Sequence, residues 1–231
     1  MATTGRDTQL LGEYHALGYP VQVWTARAPL PRSARFAAYT AELTPDEHSQ
    51  AGRIGTGAAR AQYVTGRALA RRVLSRHVRA PVSDIRFGAT EEGRPFLADP
   101  PFPELDFNLS HSGRLTVLAV TRGCRVGVDI EQMSVERDFP SIAAGFFSRD
   151  EYESWSAAGT ADRTALWYRT WTRREAYVKA TGAGLRDIAD DHHGRGSAWA
   201  DIPLEPAQGH VGCVVLIPPP PAPSLREVKP T

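Results

Sequence analysis

The chain has 231 residues, 42% of them hydrophobic and 23% charged, and its 27 basic and 26 acidic side chains leave a formal net charge of +1. That balance excludes disordered, collagenous and coiled-coil classes and gives no whole-molecule field for drawing the protein to nucleic acid or an anionic membrane. Two distant cysteines, Cys124 and Cys213, make neither a disulfide framework nor a zinc knuckle. No stretch approaches eighteen continuous apolar residues and the first twelve carry no apolar leader, so the expected setting is a reducing cytoplasm.

In chain order, Tyr19–Thr25 reads as a strand, Pro29 and Pro31 as a loop, and Arg35–Leu43 as a short helix. Thr44-Pro45-Asp46-Glu47 is a helix start, with Thr44 as N-cap, Pro45 at the first helical position and Glu47 closing a capping box. A longer helix is predicted over Ala58–Val78, where Val64, Ala68, Val73, Leu74 and Val78 recur at helical spacing. Arg60, Arg67, Arg71 and Arg76 fall off that stripe and read as a solvated face.

From Ile85 the pattern turns to short strands: Ile85–Phe87, the turn Glu92–Pro95, Phe96-Leu97, a proline-rich loop over Asp99–Pro103, then Asp106–Ser110, Leu115–Thr121 and Val126–Glu131. A helix is predicted from Ser148, again with a capping pattern, and a stronger one over Thr164–Ala180, stopped at Gly182-x-Gly184. Asp187–Asp201 reads as polar loop, Ala207–Ile217 as a last strand pair, and Pro218–Pro223 as the start of an extended tail. No short-period repeat is visible, and the absence of a regular strand–helix alternation favours α+β.

Three constellations carry chemistry. In Asp129-Ile130-Glu131 the period of a strand places both carboxylates on one face and Val128 and Ile130 on the other. Paired like charges need a cation or a shared proton, and hard oxygen donors suit magnesium; an isolated Asp-x-Glu is otherwise a solvated strand end. Trp171, Glu175 and Lys179, spaced by four, share nearly one helix face; they read either as a core tryptophan with an ordinary ion pair or as a third acid, with Lys179 and Arg174 holding phosphate. Asn108-Leu109-Ser110-His111-Ser112-Gly113 is either a capped turn or a phosphate- or ribose-binding loop. A serine nucleophile is disfavoured, because the Gly-x-Ser-x-Gly elbow is absent and adjacent strand residues point to opposite faces.

Taken in order, Gly93-Arg94-Pro95, Phe107–Gly113, Val126–Glu131, Phe146–Tyr152 and Trp171–Leu185 resemble the Sfp-type 4'-phosphopantetheinyl transferases, with looser similarity in Gly66–Arg71. The resemblance implies a monomer of two similar α/β subdomains related by a pseudo-twofold, with coenzyme A in the cleft between them. On this reading 1–123 is the N-terminal subdomain, 124–217 carries the metal site and 218–231 is the proline-rich tail.

The resemblance further implies that Asp129, Glu131 and Glu175 ligate Mg2+ and that Glu175 is the candidate general base, directly or through a bound water. Arg53, Arg94, Asn108, Ser110, His111, Asp129 and Lys179 are implied to contact coenzyme A. The implied reaction moves the phosphopantetheine arm onto a serine of an acyl or peptidyl carrier protein, releasing 3',5'-ADP. Fatty-acid, polyketide and nonribosomal-peptide carriers all fit. Two positions depart from the family pattern: Glu47 and Gln50 stand where members place lysines, and Arg174 replaces a frequent lysine. The first shifts the expected holder of the 3'-phosphate to Arg53 or His111.

Overall fold

The computed structural model describes residues 8–134, 139–182 and 198–219. Fifteen elements position the site: β1 (Thr8–Ala16), β2 (Tyr19–Arg27), α1 (Ala34–Thr40), α2 (Pro45–Arg53), α3 (Gly57–Val78), β3 (Arg86–Ala89), β4 (Pro95–Asp99), β5 (Leu105–Ser112), β6 (Leu115–Arg122), β7 (Arg125–Gln132), α4 (Phe139–Phe146), α5 (Arg149–Ala157), α6 (Thr160–Thr181), β8 (Ala200–Leu204) and β9 (His210–Ile217). The fold is α+β. A four-stranded sheet in the order β1-β2-β6-β5 and a three-stranded sheet in the order β7-β9-β8 are both antiparallel, and β3-β4 is a separate hairpin.

Strand alternation builds the layers. From β6, Val117 and Ala119 join Val21 and Val23 of β2 in one apolar cluster with Val126, Val128 and Ile130 of β7 and Val214 and Leu216 of β9, so the two sheets pack on each other. The opposite face of the first sheet, through Leu118 and Val120, meets Leu69, Ala70, Val73 and Leu74 of α3. The outer face of the second sheet, through Cys213 and Val215, meets Ala176 and Ala180 of α6. Each sheet therefore buries one side against the other sheet and one against a long helix.

The helices carry an internal repeat of the kind the family resemblance implies. Thr44 and Ser148 each cap a nine-residue helix, and in each the N3 glutamate, Glu47 or Glu151, completes a capping box. Each of these helices is followed by a 22-residue helix, α3 or α6. The same glutamates are then bound by an arginine from the long helix. Arg71 donates through Nε and Nη2 to Glu47 Oε2 at 3.2 and 2.7 Å, and Arg174 Nε donates to Glu151 Oε2 at 2.6 Å. Both guanidinium groups are buried. One carboxylate thus caps a short helix and pins it to the long helix that follows.

The structure corrects several expectations. Arg71 is not on a solvated face: besides Glu47 it donates to the carbonyls of Val82 and Ile85, and it lies over the ring of Phe87. A strand at 8–16 precedes the first expected one, and its alternation is hidden because it is an edge strand, pairing in its sheet with β2 alone and carrying a register shift between Leu10 and Gly12. The helix α4 lay in a segment assigned no structure, and α6 begins four residues before the expected start. The last strand pair is not contained in 207–217: β8 is Ala200–Leu204, which begins in the last two residues of the expected loop and runs into a stretch assigned no structure, and β9 is one continuous strand. Gly184, Leu185 and most of the expected polar loop and tail lie outside the described residues.

Candidate active site

The three acids come from two elements that meet at a glycine. On β7, Gly127, Asp129 and Glu131 share the face turned away from the sheet–sheet core, as strand periodicity requires. A Cβ on Gly127 would stand 2.5 Å from the backbone nitrogen of Ala180 and closer still to the carbonyl oxygen of Ala176. Only the absence of a side chain lets α6 lie this near β7, and the approach brings Lys179 and Glu175 beside Asp129.

Asp129 is buried. Its Oδ1 accepts from Lys179 Nζ at 2.7 Å and from Ser110 Oγ at 2.9 Å, while Lys179 Nζ also reaches the Val128 carbonyl and Ser110 Oγ, each at 3.3 Å. Oδ2 is buried and has no hydrogen-bond partner among the described residues. Burial pushes the Asp129 carboxyl above its ordinary value, against the pull of Lys179 and Ser110, and the charge of Glu131 adds to the rise. The half-buried Glu175 carboxyl is raised as well, first by burial and then by the charges of Asp129 and Glu131, with Lys179 opposing. The three carboxylates are thus close enough to repel one another, and one buried oxygen lacks a partner among the described residues.

Hard oxygen donors of this kind fit a divalent cation such as magnesium, which takes one or two carboxylates and completes its shell with water or phosphate oxygens. Among the described residues no group of three or more His, Cys, Asp or Glu side chains is gathered closely enough to hold a metal ion in this conformation. Lys179 is the cation at Asp129 in this conformation.

Opposite the acids lies the inner face of β5. Its alternate side chains accept from alternate backbone N–H groups of β7: Asp106 from Val126 at 2.7 Å, Asn108 from Val128 at 3.0 Å, Ser110 from Ile130 at 3.2 Å and Ser112 from Gln132 at 2.9 Å. The intervening residues of β7 pair with β9 through the sheet ladder. Four side chains thus join the two sheets, and they satisfy the edge that β7 would otherwise leave open.

Family models match both parts of the chain: residues 28–123 match the 4'-phosphopantetheinyl transferase N-terminal model, and residues 125–214 match the 4'-phosphopantetheinyl transferase superfamily model. A 4'-phosphopantetheinyl transferase of Nostoc sp., HetI, is 31% identical over 74% of this chain and 72% of its own length. The chain belongs to the 4'-phosphopantetheinyl transferase superfamily. Sfp of Bacillus subtilis, also a 4'-phosphopantetheinyl transferase, is 33% identical over 65% of each protein. A rat L-aminoadipate-semialdehyde dehydrogenase-phosphopantetheinyl transferase is 28% identical over 68% of this chain and 53% of its own length. The chain thus spans less than two thirds of these last two relatives.

As a member of this family, the chain has its expected site residues distributed unevenly. Asp129, Glu131, Glu175, Lys179 and Ser110 are brought together, and Asn108 sits in the seam with its side-chain oxygen on Val128. His111, next along β5, is exposed. Arg53 is exposed at the end of α2 and lines a shallow groove with Asp46, Ser49, Gln50 and Tyr63.

Arg94 is engaged by the protein itself. It donates to the Lys179 carbonyl, to Asp106 Oδ2 at 2.8 Å, to the Val126 carbonyl at 2.7 Å and to the Phe107 carbonyl at 3.3 Å, so it clasps β5, β7 and the end of α6. Arg174 does not face a phosphate: it is fully buried against Glu151. Sequence reasoning missed Gly127, Asp106 and Ser112. The alternation of polar residues through Asp106, Asn108, Ser110 and Ser112 was the signal available for two of them.

Proposed function

We propose that the protein transfers the phosphopantetheine arm of coenzyme A to a serine of an acyl or peptidyl carrier protein, using Mg2+ held by Asp129, Glu131 and Glu175. The observation that carries this reading is the buried Oδ2 of Asp129, without a partner among the described residues and beside two further acids, on a strand matched by the superfamily model. The cleft between the N-terminal part, 1–123, and the part that follows, 124–217, is assigned to coenzyme A. Arg53, Asn108, Ser110, His111 and Lys179 are its contacts, and Arg94 forms part of the wall.

Magnesium, when bound, supplies positive charge to the pyrophosphate oxygens. Lys179 Nζ adds a cation at the same place and balances charge that develops on the phosphoryl group as the carrier serine oxygen attacks the β-phosphorus. The bond from that phosphorus to the bridging oxygen breaks, and 3',5'-ADP departs. Glu175, beside the reacting oxygen, takes the serine proton directly or through a bound water. The protein works as a monomer in the cytoplasm in this reading, and fatty-acid, polyketide and nonribosomal-peptide carriers are all compatible with it.

Incubation with coenzyme A, Mg2+ and one apo carrier of each type tests the assignment. The expected result is addition of the arm's mass to at least one carrier, abolished in Asp129→Ala protein that keeps its fold; no adduct on any carrier refutes it.

A further inference from the structure

Ser110 and Ser112 stand in the same relation to β7. Ser110 Oγ accepts from the N–H of Ile130 and donates to Oδ1 of Asp129, the residue just before Ile130. Ser112 Oγ accepts from the N–H of Gln132 and donates to Oε2 of Glu131, the residue just before Gln132, at 2.9 Å in both bonds. A hydroxyl has a single proton and a rotor that swings to suit its surroundings. Once a backbone N–H occupies one lone pair, the proton is aimed at the carboxylate, and the rotor is no longer free.

Each of the two strand acids therefore has its own serine, anchored to the backbone of the very strand that carries the acid. The serines belong to β5, in the other sheet, so the acids are held across the seam and not by their own element. At Asp129 the consequence is visible: with Oδ1 taken by Ser110 and Lys179, the oxygen left over is the buried Oδ2. Ser112 does the same for Glu131, a longer side chain with one more rotatable bond to restrain.

We infer that Ser112 is a positioning residue for the metal site, orienting the Glu131 carboxylate as Ser110 orients that of Asp129. This rests on the reading of Asp129, Glu131 and Glu175 as the metal ligands. Hydrogen-bond partners of ligating carboxylates commonly govern affinity by 10- to 100-fold, so Ser112→Ala should weaken metal binding by about tenfold or more. Ser112→Thr keeps the hydroxyl and should stay within about threefold of the parent.

The test titrates Mn2+ into the full chain without coenzyme A or carrier and follows free ion by electron paramagnetic resonance, with thermal unfolding recorded for each variant. The expected outcome is weaker Mn2+ binding in Ser112→Ala, restored in Ser112→Thr, with both variants folded at the assay temperature. Parent-like affinity in Ser112→Ala overturns the role of the serine, and so does a Ser112→Thr protein that is folded yet binds as weakly as the alanine variant. Should Ser112→Ala not fold, Ser112→Thr against Ser112→Val decides the matter, since the two side chains are nearly isosteric and differ in the hydroxyl. Failure of the parent itself to bind Mn2+ or transfer the arm instead removes the metal-site reading on which the inference rests.

Discussion

The close approach of α6 to β7 makes Gly127→Ala the sharpest single test of the site's construction. The new methyl would sit 2.5 Å from the Ala180 nitrogen, about 0.9 Å short of the 3.4 Å at which ordinary van der Waals contact begins, and nearer still to the Ala176 carbonyl oxygen. Both obstacles are backbone, so no side chain can rotate away, and the helix must move by more than an ångström. Overpacking typically costs about 1–3 kcal/mol, and a backbone clash belongs at the upper end. At 2–4 °C per kcal/mol for a chain of this size, the midpoint of thermal unfolding should fall by roughly 6–12 °C.

The same displacement carries Glu175 and Lys179 away from Asp129, and a misplacement of about 1 Å at a reacting centre can cost about a hundredfold in rate. Arm transfer, measured well below the lowered midpoint, should therefore drop by that order. An unchanged midpoint would refute the packing argument. A lowered midpoint with full turnover would refute the claim that this contact places the catalytic side chains.

Arg71→Met leaves the Glu47 carboxylate buried without its principal partner and should cost about 3–5 kcal/mol in urea unfolding, with part of the loss regained in the Glu47→Leu, Arg71→Met double variant. For Glu151, burial raises the carboxyl but the hydrogen bond and charge of Arg174, the Ser148 N–H and Arg173 outweigh it and hold it below the usual value. Its contribution to stability is then present above the ordinary carboxylate range and lost as pH falls through the lowered value. Urea midpoints from pH 7 to pH 3 should decline more gently in Glu151→Gln than in the parent; parallel curves would contradict this. Arg94→Lys replaces a planar fork by a point charge that cannot serve three carbonyls and Asp106 together, and should lower stability by about 1–3 kcal/mol. A rise in the KM for coenzyme A with unchanged stability would instead mean that Arg94 acts on the ligand.

Much of the helical framework was legible in the sequence because its signals are local. The capping boxes at Thr44 and Ser148 appear where the sequence places them, and the face of β7 that carries Asp129 and Glu131 follows from period two alone. The family resemblance implied two similar halves, but the pairings that mark them, Arg71 on Glu47 and Arg174 on Glu151, were not legible, because they join residues 24 and 23 positions apart through tertiary packing. In sequence a buried arginine in an amphipathic helix looks like a solvated one. Gly127 gave no sign either, since its importance is a distance to another element. The β1 strand was obscured by its polar edge, and β8 by its short length and the proline within it.

The junction of the two sheets has a consequence for how such a protein can diverge. A main-chain ladder is the same whatever residues build it, so it fixes neighbouring strands at one spacing. Stitches made by Asp106, Asn108, Ser110 and Ser112 differ in length and can be exchanged one codon at a time. The spacing and tilt of β5 against β7, and with them the width of any crevice above, are thereby open to gradual adjustment by selection while both sheets keep their own architecture.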